Sequence, residues 1–292
     1  MYNAIAANKR NTVFIMLVFI VLIAVLGYFA SLYYNQPLIT PYVIAGAAIY
    51  ALIQYFMAAK LAVAMTGAKE IQKNDNPRLY RMVENLSITI GMPMPKVYII
   101  QDSAPNAFAT GRDPQHAIVA ATTGILELMD DQELQGVMAH EMGHVKNYDI
   151  RVSMIAFGLV SAIGIISDII LRMMFFSSSD DRRNIPPQFY IIGILAAILA
   201  PIVASMIQLA ISRQREYLAD STGALVTRYP EGLARALEKL QSHQRPMKRQ
   251  NGSTAHLFFS NPMKPGFFSN LFSTHPPLEE RISRLRGLEG KM

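Results

Sequence analysis

Cysteine is absent from the 292 residues. Disulfides, iron–sulfur clusters, thiolate zinc fingers and a cysteine nucleophile are therefore excluded. A metal would have to be held by nitrogen and oxygen, from the six His residues and the carboxylates. Charge is also scarce. Only 16% of residues are Asp, Glu, Lys or Arg, against roughly 25% in an ordinary soluble domain. Hydrophobic residues make up 51%, and mean hydropathy is +0.22. Disorder needs low hydrophobicity and high net charge, so it is excluded. The apolar residues come in long blocks, which argues against a plain cytosolic globule.

The formal net charge is +6. In a soluble protein that would suggest nucleic acid. In a membrane protein it reads as Lys and Arg flanking the spans on the cytoplasmic side. A lipid bilayer is the expected partner, and nucleic acid is not.

No charged residue occurs between Arg10 and Lys60. Val13 to Tyr34 is apolar and long enough to cross a bilayer, which takes roughly 20 residues. Asn35-Gln36-Pro37 breaks it, and Pro41 to Ala59 is a second candidate. A third runs from Val152 to Leu171, shortened by Asp168 and Arg172. Asp168 reads as a residue near the outer interface, paired with Arg172. The fourth runs from about Ile185 to Ser212 without a charge. The polar turn Ser177 to Arg183 separates the last two.

The flanks set the orientation. Lys9, Arg10, Lys60, Lys69, Lys73, Lys146, Arg151, Arg213 and Arg215 all fall on one side if four spans cross. That side is cytoplasmic, with both termini. The first block exceeds the usual 7–15-residue core of a signal peptide, so an uncleaved anchor is expected.

Four parts follow: a transmembrane hairpin over 1–65, a cytoplasmic piece over 66–151, a second hairpin over 152–212 and a second cytoplasmic piece over 213–292. Leu79, Met82, Val83 and Leu86 give Pro77 to Ile90 helical spacing. Val97 to Ile100, Ala107 to Thr110 and Ala117 to Ala120 read as strands. Asp130 and Glu133 have the spacing of a capping box, opening a helix to about Tyr148. Helices are expected from Arg213 to about Val226, from Pro230 to about His243, and after Pro277. In the last, Leu278, Ile282 and Leu285 share one face. Gln244 to Ser273 reads as a long mobile loop. The fold expected is mainly α, an integral membrane protein with four transmembrane helices and a cytoplasmic α+β domain holding a small sheet.

The chemistry lies in Val137-Met138-Ala139-His140-Glu141-Met142-Gly143-His144. This is H-E-x-x-H within a predicted helix. The i, i+4 spacing sets both imidazoles on one face, one turn apart, where they can grip one Zn²⁺. Glu141 is poorly placed to be a third ligand but can act as a general base. The flanking residues 137 to 139 are uncharged. Ala139 and Gly143 are small, which lets another element approach.

A catalytic zinc needs a third protein ligand. Glu216 and Asp220 are also i and i+4. One could bind the metal while the other accepts the N–H of a ligating His. The competing reading is an exposed salt network. A hairpin of antiparallel helices between His144 and Glu216 would bring the two motifs together.

These features resemble the HtpX-type membrane zinc metallopeptidases, which are related to the CAAX prenyl endopeptidases. The resemblance covers nearly the whole chain. It rests on the two N-terminal spans, Pro105 to Gly111, the H-E-x-x-H helix running into Val145-Lys146-Asn147, the hairpin, Arg213 to Asp220, and Ser273 to Pro277. It implies a zincin-like (gluzincin) domain with one zinc per chain, held by His140, His144 and Glu216, and Glu141 as general base. Asp220 would orient a ligating His. His275 would stabilise the oxyanion or protonate the leaving amine. Asn106 and Ala107 would belong to the edge along which an extended substrate lies. Arg213 would help hold the oxyanion or form a salt bridge.

The resemblance further implies a bacterial inner-membrane endopeptidase. It would cut cytoplasmic segments of membrane proteins or unfolded polypeptides, in quality control. A processing protease for one dedicated substrate is one alternative. A membrane adaptor or chaperone with a non-catalytic zinc is another, although a structural site usually closes with four protein ligands and only three are well placed. His116, His243 and His256 have no partners at metal spacing and read as surface residues. The 17 Met residues read as packing.

Overall fold

A computed structural model of the chain describes residues 2–156, 158–159, 162, 213–243, 245–249, 257–260 and 276–289. The chain divides into two compact units. The first comprises residues 1–8, 58–154 and 211–292, and the second 9–57 and 155–210. The fold is mainly helical, with one small mixed sheet.

Two long helices open the chain, α1 (Tyr2–Tyr34) and α2 (Ile39–Thr66). Both are long and apolar enough to cross a membrane, α1 through Ala4–Leu32. Phe14, Leu17, Val21, Leu52 and Phe56 stand exposed on them, an arrangement suited to lipid rather than water. The α2 helix outlasts the apolar run to Ala59 expected from sequence. It ends at Gly67, whose φ of +71 is the left-handed conformation that terminates helices. The Gly67 and Ala68 N–H groups both donate to the Val63 carbonyl. Residues 152–156, 158–159 and 162 of the expected third span are helical. The rest of that span, Asp168, the polar turn and the fourth span lie outside the described residues.

In the first unit four strands form a sheet: β1 (Lys69–Glu70), β2 (Lys96–Ile100), β3 (Ala107–Gly111) and β4 (Ala117–Thr122). Their order is β1-β2-β4-β3. The β2–β4 pair is parallel and the outer pairs are antiparallel. All six residues of β4 are buried, as a central strand covered on both faces requires.

Helix α3 (Pro77–Ile90) starts with Pro77 in its first turn, capped by Asn76, whose side chain accepts the Leu79 N–H at 3.0 Å. Its buried Leu79, Val83, Leu86 and Ile90 recur at helical spacing. A short helix α4 (Thr123–Leu128) precedes α5 (Asp131–Lys146). Both bonds of the capping box are present. Asp130 accepts from the Glu133 N–H and Glu133 accepts from the Asp130 N–H, each at 2.9 Å. Glu133 is 2% exposed, and Lys239 neutralises it at 2.6 Å.

Helices α6 (Arg213–Thr227), α7 (Pro230–Ser242) and α8 (Leu278–Arg286) complete this unit. Leu134, Val137 and Met138 of α5 join Leu233 and Leu237 of α7 and Leu285 of α8 in one buried core. The region read as a mobile loop is partly anchored. Phe258 and Phe259 are buried, Phe258 bridges to Phe108, and the Phe259 N–H donates to the Ala107 carbonyl at 2.8 Å.

Candidate metal centre

Helix α5 carries His140, Glu141 and His144 toward α6. Close approach is built into the sequence: a Cβ on Gly223 would lie 3.1 Å from the His140 backbone nitrogen. Along α6, Glu216, Asp220 and Gly223 recur at i, i+4 and i+7 and are all buried. One face of α6 therefore meets the H-E-x-x-H face of α5.

Three donor atoms converge there. His140 Nε2 and His144 Nε2 are 3.1 Å apart. Glu216 lies 3.4 Å from His144 Nε2 and 3.8 Å from His140 Nε2. A tetrahedral Zn²⁺ bound at 2.0–2.1 Å sets its ligands roughly 3.3 Å apart. The triad is of that size.

Each imidazole is held from behind. His140 Nδ1 faces Asp220 Oδ1 at 2.8 Å, and His144 Nδ1 faces Asp149 Oδ2 at 3.0 Å. An acceptor there places the proton on Nδ1 and leaves the Nε2 lone pair on the triad. Each aspartate has its own guanidinium. Arg281 grips Asp220 at 2.8 and 2.7 Å, and Arg215 lies 3.7 Å from Asp149. Two Arg–Asp–His chains therefore run toward one point.

The charges suit a divalent cation. Glu141, Asp149, Glu216 and Asp220 are each at most 4% exposed. Against these four carboxylates stand Arg281, fully buried, and Arg215, whose side chain is 13% exposed. With neutral imidazoles the cluster keeps two negative charges, the complement of one M²⁺. The buried Nη1 of Arg281 has no hydrogen-bond partner among the described residues and lies 3.7 Å from Glu216.

Electrostatics follow from these contacts. Burial pushes His140 down to about 4, against the pull of Asp220, so the ring is neutral as a ligand must be. Burial also opposes charge on His144, but hydrogen bonds to Asp149 and Glu216 outweigh it and hold that ring well above 6.5. Burial would raise Asp220, yet Arg281 and His140 hold it at about 2. Burial opposes charge on Arg281, but the Asp220, Glu216 and Glu141 carboxylates raise its pKa. Glu141 is thus buried and close enough to Arg281 for its charge to be felt there.

The structure gathers His140, Glu141, His144, Glu216 and Asp220 into one site. Arg213 is exposed at the start of α6 and is not brought there. Arg215 takes the inward position instead. Asn106 precedes β3 and is buried. Its side chain accepts the Ser260 N–H at 3.0 Å and donates to the Ser260 carbonyl at 2.7 Å. The edge at Asn106 and Ala107, expected to receive an extended substrate, is therefore lined by the chain's own Phe259 and Ser260. His275 and His256 lie outside the described residues, while His116 and His243 are exposed.

Sequence reasoning did not single out Asp149, Arg215 or Arg281 as site residues. Arg281 had a signal: it stands at i+3 from Leu278 and i−4 from Leu285, on the apolar face of α8.

The family model described as peptidase family M48 matches residues 73–289. A protease HtpX homolog of Tropheryma whipplei (strain Twist) is 58% identical over 287 residues, covering 98% of each chain. A protease HtpX homolog of Streptococcus gordonii is 42% identical over 296 residues, covering 98% of this chain and 99% of its own. Among solved structures, the crystal structure of S. mikatae Ste24p is 23% identical with a TM-score of 0.46. The match covers 81% of this chain and 58% of that one. With the H-E-x-x-H face, the converging triad and two apolar helices already in place, the family model and the two HtpX homologs establish that the chain belongs to peptidase family M48 and is a membrane metallopeptidase.

Proposed function

We propose that this protein is a zinc-dependent endopeptidase of the bacterial cytoplasmic membrane. It would cut cytoplasmic segments of membrane proteins and unfolded polypeptides in membrane quality control. One observation carries the reading: His140, His144 and Glu216 converge within 4.8 Å, with Glu141 buried on the same helix as the two histidines. The Lys and Arg residues flanking the apolar blocks favour a cytoplasmic site and cytoplasmic termini. The four-part organisation at 1–65, 66–151, 152–212 and 213–292, with four spans, belongs to the same reading.

His140, His144 and Glu216 would hold zinc, a Lewis acid that acidifies water and polarises a scissile carbonyl. Asp220 and Asp149 keep both imidazoles in the Nδ1–H form. Glu141 accepts a proton as the water oxygen bonds to the carbonyl carbon. It returns that proton to the amide nitrogen as the C–N bond breaks. The acid and amine leave with no covalent enzyme intermediate. His275 would steady the oxyanion or share in protonating the amine.

The test compares Glu141→Gln with wild type, as purified full chain loaded with zinc, on an unfolded membrane-protein substrate. Cleavage should fall about 10²- to 10⁴-fold, as for loss of a general base, with zinc affinity retained. Unchanged cleavage removes the mechanism. No cleavage by the zinc-loaded wild type favours a binding role for the site.

A further inference from the structure

Behind the metal triad, one polar contact comes from an unexpected place. Asn8 stands near the start of α1, just before Lys9, Arg10 and the apolar stretch from Val13. It belongs to the same compact unit as the metal site. It is 4% exposed. Its amide nitrogen donates to Asp149 Oδ1 at 2.7 Å and to the Asn147 carbonyl at 2.8 Å. An amide carries two N–H groups, so both bonds can form at once.

These two acceptors bracket a costly turn. Between them lies Tyr148, with φ of +62, a left-handed conformation that non-glycine residues seldom adopt. Helix α5 ends at Lys146, and the Asn147 and Tyr148 N–H groups close its last turn on the Gly143 and Val145 carbonyls. The left-handed step reverses the chain so that Asp149 reaches back to His144, five residues earlier. The turn needs a fastener on both sides of Tyr148, and Asn8 supplies it. The carboxylate is then shared in a fixed way: Oδ2 takes the His144 N–H, while Oδ1 takes Asn8 and faces Arg215.

We infer that Asn8 is a positioning residue of the metal site. Its amide fixes the Asn147–Asp149 turn and, through Asp149, the ring orientation of His144. The inference rests on the reading of His144 as a metal ligand. It also means that the residues ahead of the first apolar stretch contribute to the site through Asn8. The N-terminal segment is then more than a tether.

The experiment uses the full chain in detergent, with Zn²⁺ affinity measured against a chromogenic chelator and Co²⁺ absorption as a probe of ligand geometry. Asn8→Ala should weaken Zn²⁺ binding about tenfold, the lower end of the effect of losing an outer partner of a metal ligand. It should also alter the Co²⁺ bands. Asn8→Asp keeps the shape but loses both donors, and should act in the same direction should the alanine variant fold poorly. In an Asp149→Ala background, Asn8→Ala should cost no further affinity, because the two act as one unit. A merely structural Asn8 would lower the melting temperature while leaving affinity and spectrum as in wild type, or would add its full effect to Asp149→Ala. Either result overturns the proposal. If wild type binds no metal, the metal-site reading falls and takes this proposal with it. If wild type binds and Asn8→Ala binds equally well, only the proposal falls.

Discussion

Arg281 and Asp220 form a bidentate pair at 2.8 and 2.7 Å, with neither residue more than 4% exposed. The pair joins α8 to α6 behind His140. Removing one member of such a pair leaves a buried charge with nothing to meet it, which costs about 3–5 kcal/mol. Arg281→Ala should therefore lower stability by that order and weaken zinc binding. Arg281→Lys should not restore either, because an ammonium cannot match the planar fork. Chemical denaturation and chelator competition on the three proteins test this. A lysine variant equal to wild type in both would show that only charge matters.

The glycines of α5 should differ from one another. A Cβ on Gly136 would sit 2.8 Å from the Leu233 nitrogen and 2.9 Å from its Cα. Those are backbone atoms of α7 and cannot yield cheaply. Gly136→Ala should destabilise by about 1–3 kcal/mol. At Gly143 the nearest atom would be the Thr222 Cβ at 3.4 Å, an ordinary contact. Gly143→Ala should be neutral or gain up to about 1 kcal/mol from helix propensity. Equal losses at the two sites would contradict this reading of the α5–α7 contact.

Chelation should both inactivate and loosen the protein. The cluster gathers four buried carboxylates against two guanidinium groups, so metal removal should lower the melting temperature as well as abolish cleavage. A ligand at 100 times its Kd stabilises by about 2.7 kcal/mol, which scanning calorimetry with and without chelator would detect. An unchanged melting temperature would argue that no metal sits there.

The α5 capping box gives a pH signature. The Glu133 backbone N–H holds the Asp130 carboxyl below its ordinary value of 3.8. The folded state therefore favours the ionised form. That stability is present above the unfolded pKa and is lost as pH falls through the lower folded value. Asn caps a helix about as well as Asp but cannot titrate. Asp130→Asn should match wild type near neutrality and should lack this loss below about pH 4. Asp130→Ala should cost about 1 kcal/mol throughout the higher range. Melting curves across that range would reveal the difference; parallel curves for Asn and Asp would refute it.

The parts of this site that were legible in sequence are those at helical spacing. His140 and His144 share a face of α5, Glu216 and Asp220 share a face of α6, and the cap at Asp130 marks where α5 begins. Strands β2 to β4 were visible as short apolar runs. What escaped was geometry without a period. Asp149 returns to His144 only through the left-handed Tyr148, and no spacing rule encodes that reversal. Arg213 owes its expected part, in holding the oxyanion or a salt bridge, to resemblance alone. Yet it is exposed, and Arg215 faces Asp149. Arg281 pairs with a residue 61 positions away, and Asn8 with one 141 away. Two-residue β1 and six-residue α4 are too short to show periodicity.

The dispersal of these residues along the chain also sets a clock. A ribosome delivers the chain N-terminus first, at about 5–20 residues per second. Asn8 emerges first, the H-E-x-x-H helix about halfway along the chain, Glu216 and Asp220 later, and Arg281 later still. From Asn8 to Arg281, synthesis takes roughly 14–55 seconds at that rate. Between the making of Lys146 and that of Glu216, α5 carries two imidazoles and a base with no third ligand. Under the proposed mechanism a half-made chain is therefore a harmless one, and hydrolytic power arrives only once Glu216 has been made.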